Sequence, residues 1–121
     1  MTVKEAIDKT DAMLPNVCPY AKKASWLYEL DKRTEAEFFS YFTDNERHVG
    51  GGYGGNPDTE LLIADPFSEV YTYFLALKTA LSEGDTGAYS DYSQLFAASY
   101  LSFKNHYSRC HKAVDIRINM N

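Results

Sequence analysis

Residues 43 to 65 read TDNERHVGGGYGGNPDTELLIAD and hold five of the seven glycines in the chain. Glycine loses more backbone freedom on ordering than any other residue, so a cluster of this density is a non-helical break. A break above about 20 residues is long for a compact domain and points to a functional loop or to a segment ordered by a partner. Whatever the chain builds, it builds from helical material on either side of this stretch. The stretch also holds most of the charge imbalance. Residues 1–42 carry six basic and seven acidic groups, residues 43–65 one and five, residues 66–111 three and four, and residues 112–121 two and one. Four of the five net negative charges therefore sit in the glycine-rich segment, and the rest of the chain is nearly neutral.

On the N-terminal side, Thr2 and Glu5 fit a capping box, and Val3, Ala6, Ile7 and Thr10 recur at helical spacing up to Met13. Pro15 and Pro19 bracket a connector, after which Ala24, Leu27, Leu30, Thr34, Phe38 and Tyr41 mark a second helix from Tyr20 to about Phe42. Its opposite face, with Lys22, Lys32, Glu35 and Glu37, reads as solvated, and the carboxylates Glu29 and Asp31 are read with it. On the C-terminal side, Asp65 before Pro66 reads as the N-cap of a third helix that runs to about Ser82 and stops at Glu83-Gly84. That helix is apolar around its girth and must be buried, either centrally or by a partner subunit. A fourth begins at Asp85 or Thr86, with Tyr89, Tyr92, Phe96, Ser99, Phe103 and Tyr107 along one stripe. The expected fold is all-α: a single domain over residues 1–111 of about four helices, with a long acidic loop over 43–65 between the second and third. Residues 112–121 show weak pattern and are expected to form a mobile tail.

Composition excludes several classes of function. At 121 residues, 45% hydrophobic and 24% charged, the chain is an ordinary single globular domain, apart from an aromatic content of 15% with ten Tyr. The uncharged apolar run Val70 to Leu77 is far short of the roughly 20 residues that cross a bilayer, so no membrane partner is expected. The opening MTVKEAIDK lacks the apolar core of a secretory signal, and two cysteines, Cys18 and Cys110, are expected as free thiols of a cytoplasmic chain. A net charge of −5 without a basic cluster disfavours direct, tight binding to DNA.

No arrangement of residues announces catalysis. The GGGYGG run lacks the Gly-Lys-Ser/Thr ending of a phosphate loop, and no Gly-x-Ser-x-Gly or His-Glu-x-x-His occurs. His106, Cys110 and His111 could begin a zinc site with a loop ligand such as His48, but a tetrahedral site needs four ligands, and a helix end where Arg109, His111 and Lys112 complement the dipole accounts for these residues. No catalytic residue, metal ligand or cofactor is expected.

Four segments carry a resemblance. They are Trp26-Leu27-Tyr28-Glu29-Leu30-Asp31, then Thr59-Glu60-Leu61-Leu62, then Asp65-Pro66-Phe67-Ser68-Glu69-Val70-Tyr71-Thr72-Tyr73, then Leu95-Phe96 with Tyr100, Phe103 and Tyr107. In this order, over about residues 3 to 109, they resemble small proteins of prophage head-to-tail modules related to the head–tail connector (adaptor) family of long-tailed phages. Such relatives often have Asn at the position of Ala97, and their loop is shorter. The resemblance implies a non-enzymatic helical virion protein, in the host cytoplasm during assembly and at the head–tail junction afterwards. It implies a ring of about twelve copies, docked between the portal protein and the head-closure or tail proteins, with DNA passing through its lumen. On that reading Trp26, Phe39, Tyr71, Tyr73, Leu75 and Leu101 are expected at subunit interfaces. Asp44, Glu46, Asp58 and Glu60 are expected to face the lumen or a partner, where negative charge lets a duplex slide. The rival reading is a small cytoplasmic helical binding or regulatory protein acting as monomer or dimer.

Overall fold

The computed structural model describes residues 1–42, 48–49 and 52–111. Four α-helices account for most of them: α1 (Val3–Met13), α2 (Tyr20–Glu37), α3 (Glu69–Ser82) and α4 (Thr86–Cys110). Short 3-10 turns occupy Phe39–Tyr41 and Tyr53–Gly55. The described residues contain no β-strand, and the fold is the expected small all-α bundle. The expected tail over 112–121 lies outside the described residues.

Helix α1 begins as its sequence demands. The Thr2 hydroxyl accepts from the Glu5 amide at 3.1 Å, and the Glu5 carboxylate accepts from the Thr2 amide at 3.0 Å, completing the capping box. The remaining free amides of the first turn find partners outside the helix. Val3 N–H donates to the Thr59 carbonyl and Lys4 N–H to the Pro57 carbonyl, both at 2.9 Å. Leu61 N–H returns a bond to the Met1 carbonyl at 3.0 Å, and Thr2 and Glu60 form an antiparallel bridge. The second half of the glycine-rich segment is thus laced along the start of the chain.

Helix α3 is the centre of the bundle. Its residues Val70, Tyr71, Phe74, Leu75, Ala76, Leu77 and Ala80 are buried, and it packs chiefly against α4 while also meeting α1 and α2. The apolar girth that could have called for a partner subunit is covered largely by the chain's own helices, with Leu81 near the C-terminal end left 57% exposed. The start of α3 differs from expectation: the helix begins at Glu69, and Asp65 does not cap it. The Asp65 carboxylate accepts instead from the Ser68 hydroxyl, the Asp65–Pro66 peptide is cis, and a turn closes from Phe67 N–H to the Ala64 carbonyl at 3.0 Å. The end of α3 follows its sequence. Gly84 takes φ +74, a conformation costly for any residue with a Cβ. Asp85 N–H then reaches the Ala80 carbonyl at 2.9 Å and Gly84 N–H the Leu81 carbonyl at 3.2 Å, the paired bonds of a Schellman stop. Asp85 in turn caps α4, accepting from the Ala88 amide at 3.0 Å.

The helix α2 stripe is buried at Ala24, Leu27, Leu30 and Thr34. Past Glu37 the chain tightens into the 3-10 turn, which buries Phe39 and leaves Tyr41 53% exposed. Phe38, Phe39 and Phe42 form an aromatic cluster with Phe103 and Tyr107 of α4, with centroids 4.8–5.8 Å apart in edge-on and tilted contacts.

Two outcomes test this packing. Thr2→Ala removes the cap and should lower unfolding free energy by about 1 kcal/mol in urea titration. The buried Thr79 hydroxyl has no hydrogen-bond partner among the described residues, so Thr79→Val should raise stability, by about 1 kcal/mol, because it removes a desolvated donor and keeps the shape.

Candidate functional site

The most unusual group in the core is a carboxylate. Asp31 lies on α2 one turn after Leu27 and one turn before Thr34, in the middle of the buried stripe, and its exposure is 0%. It accepts three hydrogen bonds. Tyr71 of α3 donates its hydroxyl to Oδ1 at 2.5 Å, Tyr53 donates to Oδ2 at 2.6 Å, and the backbone N–H of Leu62 donates to Oδ2 at 3.1 Å. The Tyr71 oxygen also accepts from Ile63 N–H at 2.7 Å. One side chain therefore joins α2, α3 and two stretches of the glycine-rich segment.

The energetics fit a structural role. Hydrogen bonds to a charged group contribute about 1.5–3 kcal/mol each, and three of them are of the size needed to offset the several kcal/mol lost when a carboxylate leaves water. Burial pushes the Asp31 carboxyl above its ordinary value, while the bonds from Tyr53, Tyr71 and Leu62 pull the other way. Burial, followed by the nearby carboxylate, drives Tyr71 up; burial and then the bond to Asp31 do the same for Tyr53, so both remain hydroxyl donors. All three polar groups are committed to one another inside the core.

The solvated face expected for α2 is thereby corrected at two positions. Asp31 is core, and Glu35 is half-buried, accepting from the Val49 amide at 2.7 Å and facing the His48 imidazole at 3.3 Å. Lys23 is another missed group: it is 3% exposed, with its ammonium 2.7 Å from Asp11 on α1.

The residues expected at interfaces divide into two groups. Phe39, Tyr71 and Leu75 are fully buried in the chain's own core and present no surface to a partner. Their apolarity answers to α4 and the Asp31 junction, not to a second subunit. Trp26 is half-buried beneath the Lys22 ammonium, Tyr73 is half-buried with its hydroxyl donating to Glu69 at 3.3 Å, and Leu101 is 55% exposed. Of the four acidic candidates, Asp44 and Glu46 lie outside the described residues. Asp58 and Glu60 are exposed, and the Glu60 carboxylate lies 3.3 Å from the Met1 amine.

The imidazoles and thiol at the end of α4 make contacts with one another and with neighbouring rings. His106 Nε2 and Cys110 Sγ are 3.6 Å apart, but the His106 ring also lies against Phe67, and the His111 ring stacks on Tyr107 with centroids 3.7 Å apart. Among the described residues, no three His, Cys, Asp or Glu side chains are placed to share a metal ion. A cleft of about 180 Å³ opens beside Pro66, Phe67, Phe103 and His106. It is below the roughly 300 Å³ at which small-molecule pockets begin. No described helix is long and apolar enough to cross a membrane.

No family model, curated protein or solved structure matches this chain.

The Asp31 junction yields a stability test with a definite sign. Asp31→Ala leaves two buried hydroxyls and the Leu62 amide without their acceptor and should cost about 3 kcal/mol or more; Asp31→Asn keeps an acceptor and should cost less. Because the folded-state pKa is raised above 3.8, the folded protein holds this proton more tightly than the unfolded chain. The resulting contribution is fully present below the ordinary value and is lost as pH rises through the raised one. Wild type should therefore gain stability relative to Asp31→Asn as urea titrations move from neutral pH towards about pH 4. A pH-independent difference would remove the linkage.

Proposed function

We propose that this protein is a non-enzymatic virion assembly protein, a subunit of a head–tail connector ring between the portal and the head-closure or tail proteins of a long-tailed phage. The single observation that carries the reading is how the four segments behind the resemblance are used. Asp31 closes the first, Leu62 the second, and Tyr71 lies in the third; the carboxylate of Asp31 holds both partners. Phe96, Tyr100, Phe103 and Tyr107 of the fourth pack on the same core, and the Tyr100 hydroxyl bonds Thr34 of α2 at 2.9 Å. The residues that carry the resemblance are thus core-building ones, and the function is taken from it by analogy at the level of the fold.

Two further features support a role in assembly. Buried Asp31 is taken up by Tyr53, Tyr71 and the Leu62 amide, and buried Lys23 by the partly exposed Asp11. The exterior of α4, by contrast, offers Leu95 and Leu101 to solvent at 45% and 55% exposure. Most of the apolar girth of α3 does not contribute, since the chain's own helices cover it except at Leu81, which is 57% exposed. In the ring, DNA would pass through the lumen without sequence recognition, with Asp58 and Glu60, and with Asp44 and Glu46, supplying negative charge.

Deletion of the gene from the phage or prophage that carries it tests the reading. The expected result is heads that package DNA but are not joined to tails, with the purified protein restoring joining in extracts. Normal yields of tailed, infectious particles from the deletion strain would overturn it.

A further inference from the structure

We infer that two copies of this chain associate through the outer face of α4, packed antiparallel about a two-fold axis at Ala98. Helix α4 is 25 residues long, about 37 Å at 1.5 Å per residue, yet only Phe103 and Tyr107 in it are buried. One side meets the bundle through Tyr92, Phe96, Phe103 and Tyr107; the other bears Asp91, Leu95, Ala98, Leu101, Asn105 and Arg109, all exposed.

Two properties of that face select a second copy as its occupant. It is nearly free of charge: from Thr86 to Phe103 the helix has one ionisable acid or base among Asp, Glu, Lys, Arg and His, Asp91, whereas α1 has five such residues in 11 and α2 eight in 18. A chain of net charge −5 opposes its own association, so copies meet where charge is least. The face is also self-complementary. Leu95 and Leu101 stand three residues to either side of Ala98, and Asp91 and Asn105 seven to either side. In an antiparallel pair centred on Ala98, Leu95 of one copy meets Leu101 of the other. Asp91 then lies beside Asn105 of the second copy, one turn from its Arg109. Side chains on a helix lean towards its N-terminus, so in this arrangement Asp91 and the Arg109 of the second copy lean towards each other. The small Ala98 at the crossing permits axes about 8–10 Å apart.

An isologous contact closes at two copies and does not build a ring. It is a contact of the free protein, argued independently of the connector reading. One helix pair buries less than the roughly 1,200 Å² of a stable interface, so the association is expected to be weak.

Sedimentation equilibrium of the full chain from about 10 µM to about 1 mM, the range in which a small interface is populated, should show a monomer–dimer equilibrium. Leu101→Glu should weaken it at least about tenfold. Asp91→Arg should weaken it too, and adding Arg109→Asp to that variant should restore it. Geometry is read separately by mild oxidation in a Cys18→Ser, Cys110→Ser background. Mixed Leu95→Cys and Leu101→Cys proteins should cross-link, while either alone should not, since like positions stand beyond the roughly 7 Å Cα span of a disulfide. A monomer at every concentration, an unrestored charge swap, or equal cross-linking of each cysteine variant with itself would overturn the inference. None of these outcomes bears on the deletion phenotype.

Discussion

The carboxylate of Asp31 is the interaction on which the rest of the structure depends. A segment rich in glycine has little side-chain surface with which to attach itself to a core, and every residue it orders costs backbone entropy of about 1–2 kcal/mol. The chain answers with a buried acceptor that takes the Tyr53 hydroxyl and the Leu62 amide directly and reaches the Ile63 amide through Tyr71. Those bonds set Leu61, Leu62 and Ile63 into the core beside α2 and α3. The same segment runs on to complete the first turn of α1 through the carbonyls of Pro57 and Thr59. The latter half of the glycine-rich stretch is therefore a structural strap that closes the bundle.

This arrangement explains how a chain with so apolar a third helix stays within one domain. Helix α3 meets the three other helices, and the strap covers the end that they leave open, at Leu62 and Ile63. What remains outside is mostly charged or polar on α1 and α2. Exposed leucines stand on the outer face of α4, at Leu95 and Leu101, and near the end of α3, at Leu81.

The helices were largely legible in the sequence. The capping box at Thr2, the glycine stop at Gly84 and the Asp85 cap are local signals with local causes, and each acts where it stands. The junction was not, although half of its signal was present. Asp31 stands one turn from both Leu27 and Thr34, so helical spacing alone places it on the buried stripe; its charge, among Lys32, Arg33 and Glu35, argued the other way. What decides between the two is the arrival of Tyr53 and Tyr71 from 22 and 40 residues further on, and no local pattern encodes that meeting. Asp65 shows the converse error: a good capping sequence whose carboxylate is taken by Ser68. The apolar girth of α3 was ambiguous for a physical reason, since burial by a neighbour in the chain and burial by a second subunit demand the same residues.

The strap is as firmly part of the fold as the helix it crosses, and amide hydrogen exchange measures this. The Leu62 and Ile63 amides, bonded to Asp31 and Tyr71, should exchange only through global unfolding, at the rates of the slowest amides of α3. In Asp31→Ala they should be released to fast local exchange while the α3 amides stay protected. Fast exchange of Leu62 and Ile63 in the wild-type protein, at the rates of an open loop, would contradict the account.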